Sequence, residues 1–337
     1  MQARKRRAPA AAPPPPKSYR PGTSSIVNTN VHGIYRIEKQ RGLGALLKFH
    51  HAEIGLLTET KSSRTTPYLL GNTRATDPAA FYIHPGDVPP AHKHGQCHAG
   101  VAIALSPRLE VGFESIGSQT YHAAHDRITA VVLPIDALFT PSHIKNRPYD
   151  TVIVICAYAP TMTAPNAAKI SFYNSLNELI PRIKQLNKNR SLVILGGDFN
   201  ARVNTSPPHV GQHHLDIHPL ATSPQPALPN INGQYLITTL QLNNLALTNT
   251  FFLHSRNDKA TFLQTKHRFA LKGWDTHGVQ IDHVAIDLPA LNLVQDAKAI
   301  RAGPLLTKLD HRPQLIILKS GLAHPEAIPR PPPPPRT

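Results

Sequence analysis

The chain has 337 residues, enough for one large α/β domain with a substantial core, and carries a formal charge of +16. Charge of that size points to a polyanionic partner, without separating DNA, RNA and anionic membrane. Two cysteines, Cys97 and Cys156, exclude a disulfide framework and fit a reducing intracellular compartment, and no apolar stretch approaches the length of a membrane span.

Residues 1–22 are basic and rich in Ala and Pro, which predicts a disordered tail. Within it Arg4-Lys5-Arg6-Arg7 reads equally as a nuclear address, a nucleic-acid-binding arm or a solvated tail. The folded region is expected over 23–318, as one domain without internal repeats. A second Pro-rich tail follows over 319–337 and ends in Pro331–Pro335.

In chain order, Ser25–Asn28 reads as a strand, and Ile34, Ile37, Leu43, Leu46 and Leu47 follow with helical spacing. Strands are predicted over Glu53–Glu59, Gly100–Ser106, Leu109–Ser115, Arg127–Ile135 and Thr151–Ala157. A helix over 166–188 places Ile170, Tyr173, Leu176, Leu179, Ile180 and Ile183 on one face. Leu192–Leu195 is a buried strand that Gly196-Gly197 is expected to end. A helix near 233–243 and strands near 246–250, 260–263, 279–286 and 312–318 complete the pattern. β runs on both sides of the 166–188 helix argue for sheet-on-sheet packing with outer helices. The stretches 62–97 and 203–232, rich in Pro, His, Thr and Asn, are read as loops, part of each flanking a binding surface. Neither His94 and His98 around Cys97 nor the His213-His214 pair has zinc-ligand spacing.

Polar residues gather where the predicted strands end. Asp198 and Asn200 stand two apart in Gly197-Asp198-Phe199-Asn200, where a carboxylate can take a proton from water beside an orienting amide. Asp and Asn also end strands simply as turn residues, so this pair acquires meaning only from its companions. Those are Asn28-Thr29-Asn30 with His32, Glu59 in Leu57-Thr58-Glu59, Tyr158 in Tyr158-Ala159-Pro160, and the late group Thr261, Asp282-His283 and Asp310-His311-Arg312.

Taken in order, these segments resemble the endonuclease/exonuclease/phosphatase superfamily. The most similar branch is the apurinic-like endonuclease domain of RTE-type non-LTR retrotransposons and its relative, craniofacial development protein 2. Leu245–Phe252 and Lys259–Phe262 add to the likeness, which spans about 23–318. The resemblance implies a four-layer α/β/β/α sandwich of the DNase I-like kind. It also implies Mg²⁺-dependent nicking of DNA, with Mn²⁺ as a substitute, leaving a 3′-hydroxyl and a 5′-phosphate.

Residue by residue, the resemblance makes Glu59 the main metal ligand and Asp310 a second carboxylate near the metal, so one or two ions remain open. Asp198 would activate the attacking water. Asn30 and Asn200 would bind the phosphate or the nucleophile, His311 would donate to a phosphate oxygen, and Asp282 would orient His311 and favour its charged form. Tyr158 would contact the phosphate, and Thr261 and Arg312 would bind substrate.

Two positions depart from the family. His32 stands where an acid is common, and Leu309 where Ser usually precedes Asp-His. The chain also lacks an adjacent Asp-Asp pair, and with it a polymerase motif. Two rival readings stay open: a non-catalytic nucleic-acid-binding relic, and a phosphoesterase of phosphoinositides or other small molecules.

Overall fold

A computed structural model describes residues 23–72, 80–87, 99–123, 126–139, 148–215, 228–263, 274, 277–300 and 310–319. The predicted N-terminal tail, residues 320–337 of the C-terminal one, Cys97 and Leu309 lie outside these residues, while Lys319 ends the last strand.

The elements in chain order are β1 (Thr23–Asn30), α1 (Ile37–Phe49), β2 (Ala52–Thr58), β3 (Tyr68–Leu69), β4 (Tyr82–Pro85), β5 (Val101–Leu105) and α2 (Pro107–Ser115). Then follow β6 (Thr120–His122), β7 (Ile128–Pro134), α3 (Ile135–Leu138), β8 (Thr151–Tyr158), α4 (Asn166–Leu186) and β9 (Ser191–Asp198). Last come α5 (Ile231–Asn243), β10 (Leu245–Leu247), β11 (Asp282–Asp287), β12 (Val294–Ala299) and β13 (Gln314–Lys319).

One sheet runs β12-β13-β1-β2-β5-β4-β3 and the other β10-β11-β9-β8-β7-β6. Strands buried on both faces must be apolar on both, and their alternate residues then sort between two interfaces. In β8, Val152, Val154 and Cys156 face the core between the sheets, while Ile153, Ile155 and Ala157 pack under the helices. Leu176, Leu179, Ile180 and Ile183 of α4 and Leu236 and Leu240 of α5 cover that outer face. Leu43, Leu46 and Leu47 of α1 cover the other sheet, over Val27, Leu57 and Ile83. The result is the expected helix–sheet–sheet–helix sandwich.

Among the described residues each sheet contains one parallel pair, β1 with β2 and β8 with β9, joined through α1 and α4. The C-terminal ends of these four strands therefore open on one rim. β11 and β13 run antiparallel to β9 and β1, so their first residues, Asp282 and Gln314, start beside Asp198 and Asn28.

Several expectations need correction. Residues 109–115 form helix α2, not a strand: Leu109, Val111 and Phe113 look alternating, but Ser106-Pro107 is a helix start and the Ser106 hydroxyl accepts from the Leu109 amide. Leu109 and Phe113, four apart, are buried, whereas Val111 is 68% exposed. On α4, Ile170 is exposed and Phe172 buried. Residues 260–263 make isolated bridges instead of a full strand. The region read as a long loop over 62–97 contains β3 and β4, and edge strand β12 escaped notice because Asp296 and Lys298 interrupt its apolar pattern.

Gly196 and Gly197 do not end β9; they lie inside it. A Cβ on Gly196 would stand 2.4 Å from Leu56 Cδ1 of the opposite sheet. On Gly197, with φ +151°, it would stand 1.8 Å from the Ala157 carbonyl oxygen. Both glycines serve close approach next to Asp198. Gly197→Ala is therefore expected to destabilise the protein by about 4 kcal/mol or more, seen as a collapsed urea midpoint or insoluble expression.

Candidate active site

The layer of side chains between the sheets changes character at one rim. Along β1 the inward row is Ile26, Asn28, Asn30; along β9 it is Leu192, Ile194, Gly196, Asp198; β8 ends the same way in Cys156 and Tyr158. β11 and β13 start with Asp282 and Gln314 before turning apolar at Val284 and Ile316. The apolar core thus gives way to a buried polar floor on the end where the parallel strands open.

Asn30 joins two carboxylates, its Nδ2 lying 3.0 Å from Glu59 Oε1 and 3.2 Å from Asp198 Oδ2. Its Oδ1 accepts from the His32 amide at 3.1 Å, and these partners together fix the amide's orientation. The Tyr158 hydroxyl donates to Glu59 Oε1 at 2.9 Å. Burial, with the nearby Glu59 and Asp198 charges, pushes the Tyr158 phenol far up, so it remains a neutral donor at neutral pH. Arg127 lies over the Tyr158 ring at 4.8 Å and holds the Tyr158 carbonyl.

Glu59 stands one residue past β2 in a left-handed conformation, φ +52°, which points to a backbone held for a purpose. Burial would raise its carboxyl, but the Asn30 and Tyr158 hydrogen bonds, then the Lys61 ammonium and the His32 imidazole beside it, hold it below the usual range. Lys61 Nζ and His32 Nδ1 each lie 3.3 Å from Glu59 Oε2. This carboxylate is ionised, and its side chain retains 16% exposure.

Asp198 is 2% exposed and accepts from the Asn200 backbone amide at 2.9 Å. Burial and the Asp282 carboxylate push its carboxyl up to about 7, against the opposing pull of His311. His311 Nδ1 lies 2.9 Å from Asp282 Oδ2, and its Nε2 lies 3.9 Å from Asp198 Oδ2. Burial alone would lower this imidazole, but Asp282 and then Asp198 override it and raise the ring to about 10. A protonated histidine therefore sits between two buried carboxylates.

The other expected site residues have different neighbours. The Asn200 side chain turns to the Ala159 carbonyl at 3.1 Å, leaving its backbone N–H as its contact with Asp198. The Thr261 hydroxyl, wholly buried, accepts from the Ile281 and Asp282 amides, so it holds the start of β11 and does not face solvent. Arg312 bonds the Asn257 carbonyl and side-chain oxygens and stacks at 3.9 Å on Trp274. Asp310 is half-buried next to His311, and its backbone oxygen accepts from Leu263.

Sequence reasoning assigned no role to Lys61, Arg127, Gln314 or Phe262, whose ring lies 4.9 Å from that of His311. His283, adjacent to Asp282, is buried between the Ala201 carbonyl and Asn249, and burial lowers it to about 4. It is a neutral structural histidine. Cys156 is equally inert, its thiol pushed up to about 12 by burial.

Oxygens of Asp198 and Asp282 and a ring nitrogen of His311 lie within 4.8 Å of one another, close enough to span an ion. A protonated imidazole has no lone pair to offer, however, and Nδ1 is committed to Asp282. Glu59 is the better carboxylate for a hard divalent ion, being ionised, all-oxygen and partly open to solvent.

No family model matches the sequence, and no curated protein matches it. Solved structures do match. The apurinic endonuclease LMAP from Leishmania major aligns with TM-score 0.58 and 11% identity over 88% of this chain and 87% of that one. The catalytic domain of APE2 from Xenopus laevis gives 0.55 and 19%, over 89% and 93%. The 3′-5′ exonuclease NExo from Neisseria meningitidis gives 0.53 and 15%, over 87% and 98%.

Proposed function

For a chain with the four-layer fold of these nucleases and of the endonuclease/exonuclease/phosphatase superfamily, we propose a metal-dependent phosphodiesterase of retrotransposon origin that nicks DNA. The observation that carries the reading is the meeting of Asp198, the Asp282–His311 pair, Asn30, Tyr158 and Glu59 on one rim. The charge of +16 fits a polyanionic substrate. Among the described residues no helix is long and apolar enough to cross a membrane.

Asp198, ionised above about 7, takes a proton from the attacking water, whose oxygen bonds to phosphorus as the P–O3′ bond breaks. The leaving oxygen takes up a proton from solvent water to become the 3′-hydroxyl, and the phosphate stays on the 5′ side. His311, protonated up to about 10, donates to a non-bridging oxygen, with Asn30 and Tyr158 as further donors aimed at the same rim. Glu59 would hold Mg²⁺, or Mn²⁺ in its place, with Asp310 as the second carboxylate that the resemblance implies. The ion would neutralise charge developing on the phosphate oxygens.

Supercoiled plasmid is expected to relax with Mg²⁺ or Mn²⁺ and to stay supercoiled in chelator, and the nicks should prime a DNA polymerase without phosphatase treatment. Binding without nicking in either metal would favour the non-catalytic relic. Cleavage of inositol phosphates but not DNA would favour the small-phosphoester reading.

A pH profile follows from the two raised groups. Asp198 must lose its proton and His311 must keep one, so kcat/KM is expected to climb toward a pH of about 7 and to fall past about 10. Initial nicking rates in saturating metal check both limbs.

A further inference from the structure

We propose that Asn28 and Gln314 are positioning residues that fix the separation of the two sheets beneath the rim, holding Asp282 against His311 and Asp198 beside Asn30. The proposal deepens the nuclease reading and rests on it for its kinetic arm. Asn28 and Gln314 are register partners on β1 and β13, and are 0% and 1% exposed. Both point across the sandwich. Asn28 Nδ2 lies 3.1 Å from the Gly197 oxygen, 3.4 Å from the His283 oxygen and 3.1 Å from Gln314 Oε1. Gln314 Nε2 lies 2.8 Å from the Asp282 oxygen.

The carbonyls they grip belong to the residue before Asp198, to Asp282 itself and to the residue after it. Asn30 lies two residues after Asn28 on β1, and His311 three residues before Gln314, just ahead of β13. Among the described residues, the contacts that cross this gap between the polar halves of the rim include Asn30 to Asp198, His311 to Asp282 and to Asp198, and Tyr158 to Glu59.

Stability alone does not account for amides here. One layer deeper, the same inward positions are Ile26, Ile316, Ile194 and Val284. Apolar packing is non-directional and tolerates small slides. A buried amide is favourable only when its atoms are paired, and among the described residues Asn28 Oδ1 has no hydrogen-bond partner, a cost that an apolar residue would avoid. Turning Asn28 over would set Oδ1 against three oxygens, so one arrangement of the sheets satisfies it. The amides therefore serve alignment.

Asn28→Leu and Gln314→Met keep approximate volume and remove the cross-sheet bonds. Lys184→Met breaks the ion pair with Asp287 at the far end of β11 and is the control for general destabilisation. In the full chain, the two amide variants are expected to lose about tenfold to a hundredfold in kcat, with KM changed by no more than about twofold. The low-field imidazole proton of the His311–Asp282 bond should broaden or shift in their NMR spectra. Lys184→Met should retain both kcat and the resonance. Unchanged kcat and resonance in folded amide variants would overturn the proposal, as would equal losses in the control. Should Asn28→Leu fail to fold, Gln314→Met, which removes fewer bonds, decides alone. A wild type that does not nick would sink the nuclease reading while leaving the resonance comparison to decide the positioning role.

Discussion

Asp198→Asn is expected to reduce nicking by about a thousandfold, the range of a lost general base, while leaving DNA affinity nearly unchanged. The substitution keeps size and shape, so the lost rate reports proton transfer and not collapse of the rim. It should also stabilise the metal-free protein at pH 8. With a carboxyl raised from 3.8 to about 7, the ionised form carries a penalty on the order of 4 kcal/mol in the folded state. Asparagine removes that penalty. It can accept from only one of the Asn200 amide and the Asn30 side chain, which costs about 1 kcal/mol and leaves a net gain. The folded state binds more protons than the unfolded one between about pH 4 and 7, so wild-type stability falls as pH rises through that window. The variant's advantage should therefore vanish below pH 4 and be complete above 7. Melting temperatures at several pH values, measured beside nicking rates, check both parts. A less active and less stable variant at pH 8 would contradict the assigned role.

The polar strand ends were readable in sequence because their residues obey strand periodicity, while their meeting at one site was implied only by the resemblance. Ile26, Asn28 and Asn30, or Ile194, Gly196 and Asp198, occupy alternate positions on one face, so the polar residue ending each row falls where the apolar run stops. Contacts between sheets were not readable. Asn28 and Gln314 look like polar residues in strands until the two sheets are placed face to face. Thr261 and Arg312 were expected as substrate contacts from the resemblance; what sequence could not show is their local partners, since the hydroxyl of one accepts from backbone amides and the guanidinium of the other rests on Trp274 and Asn257. Sequence order locates a segment but does not orient its side chains. The reading of 109–115 failed for a related reason: Leu109, Val111 and Phe113 fit both periods, and only the Ser106-Pro107 start separates them.

His311→Ala and Asp282→Asn should both impair nicking, but in ways that pH separates. Removing the imidazole deletes the donor to the phosphate and is expected to cost about a hundredfold to a thousandfold. It also removes the positive charge that holds Asp198 down, so the acid limb should move to higher pH, and the fall near pH 10 should disappear. Asp282→Asn does the reverse. Without the carboxylate, His311 loses its main source of elevation and should titrate well below 10, which brings the alkaline fall to lower pH. The same loss removes a like charge from Asp198, so the acid limb moves down as well. The whole bell is therefore expected to slide toward acid, and the variant to recover part of its activity near pH 6 relative to pH 8. His311→Ala should show no such recovery. Parallel pH profiles for the two variants would mean that the imidazole and carboxylate do not act as a coupled pair. Opposite displacements, measured as kcat/KM in saturating metal, would be the signature of a proton held on His311 by Asp282 and read by Asp198 across 3.9 Å.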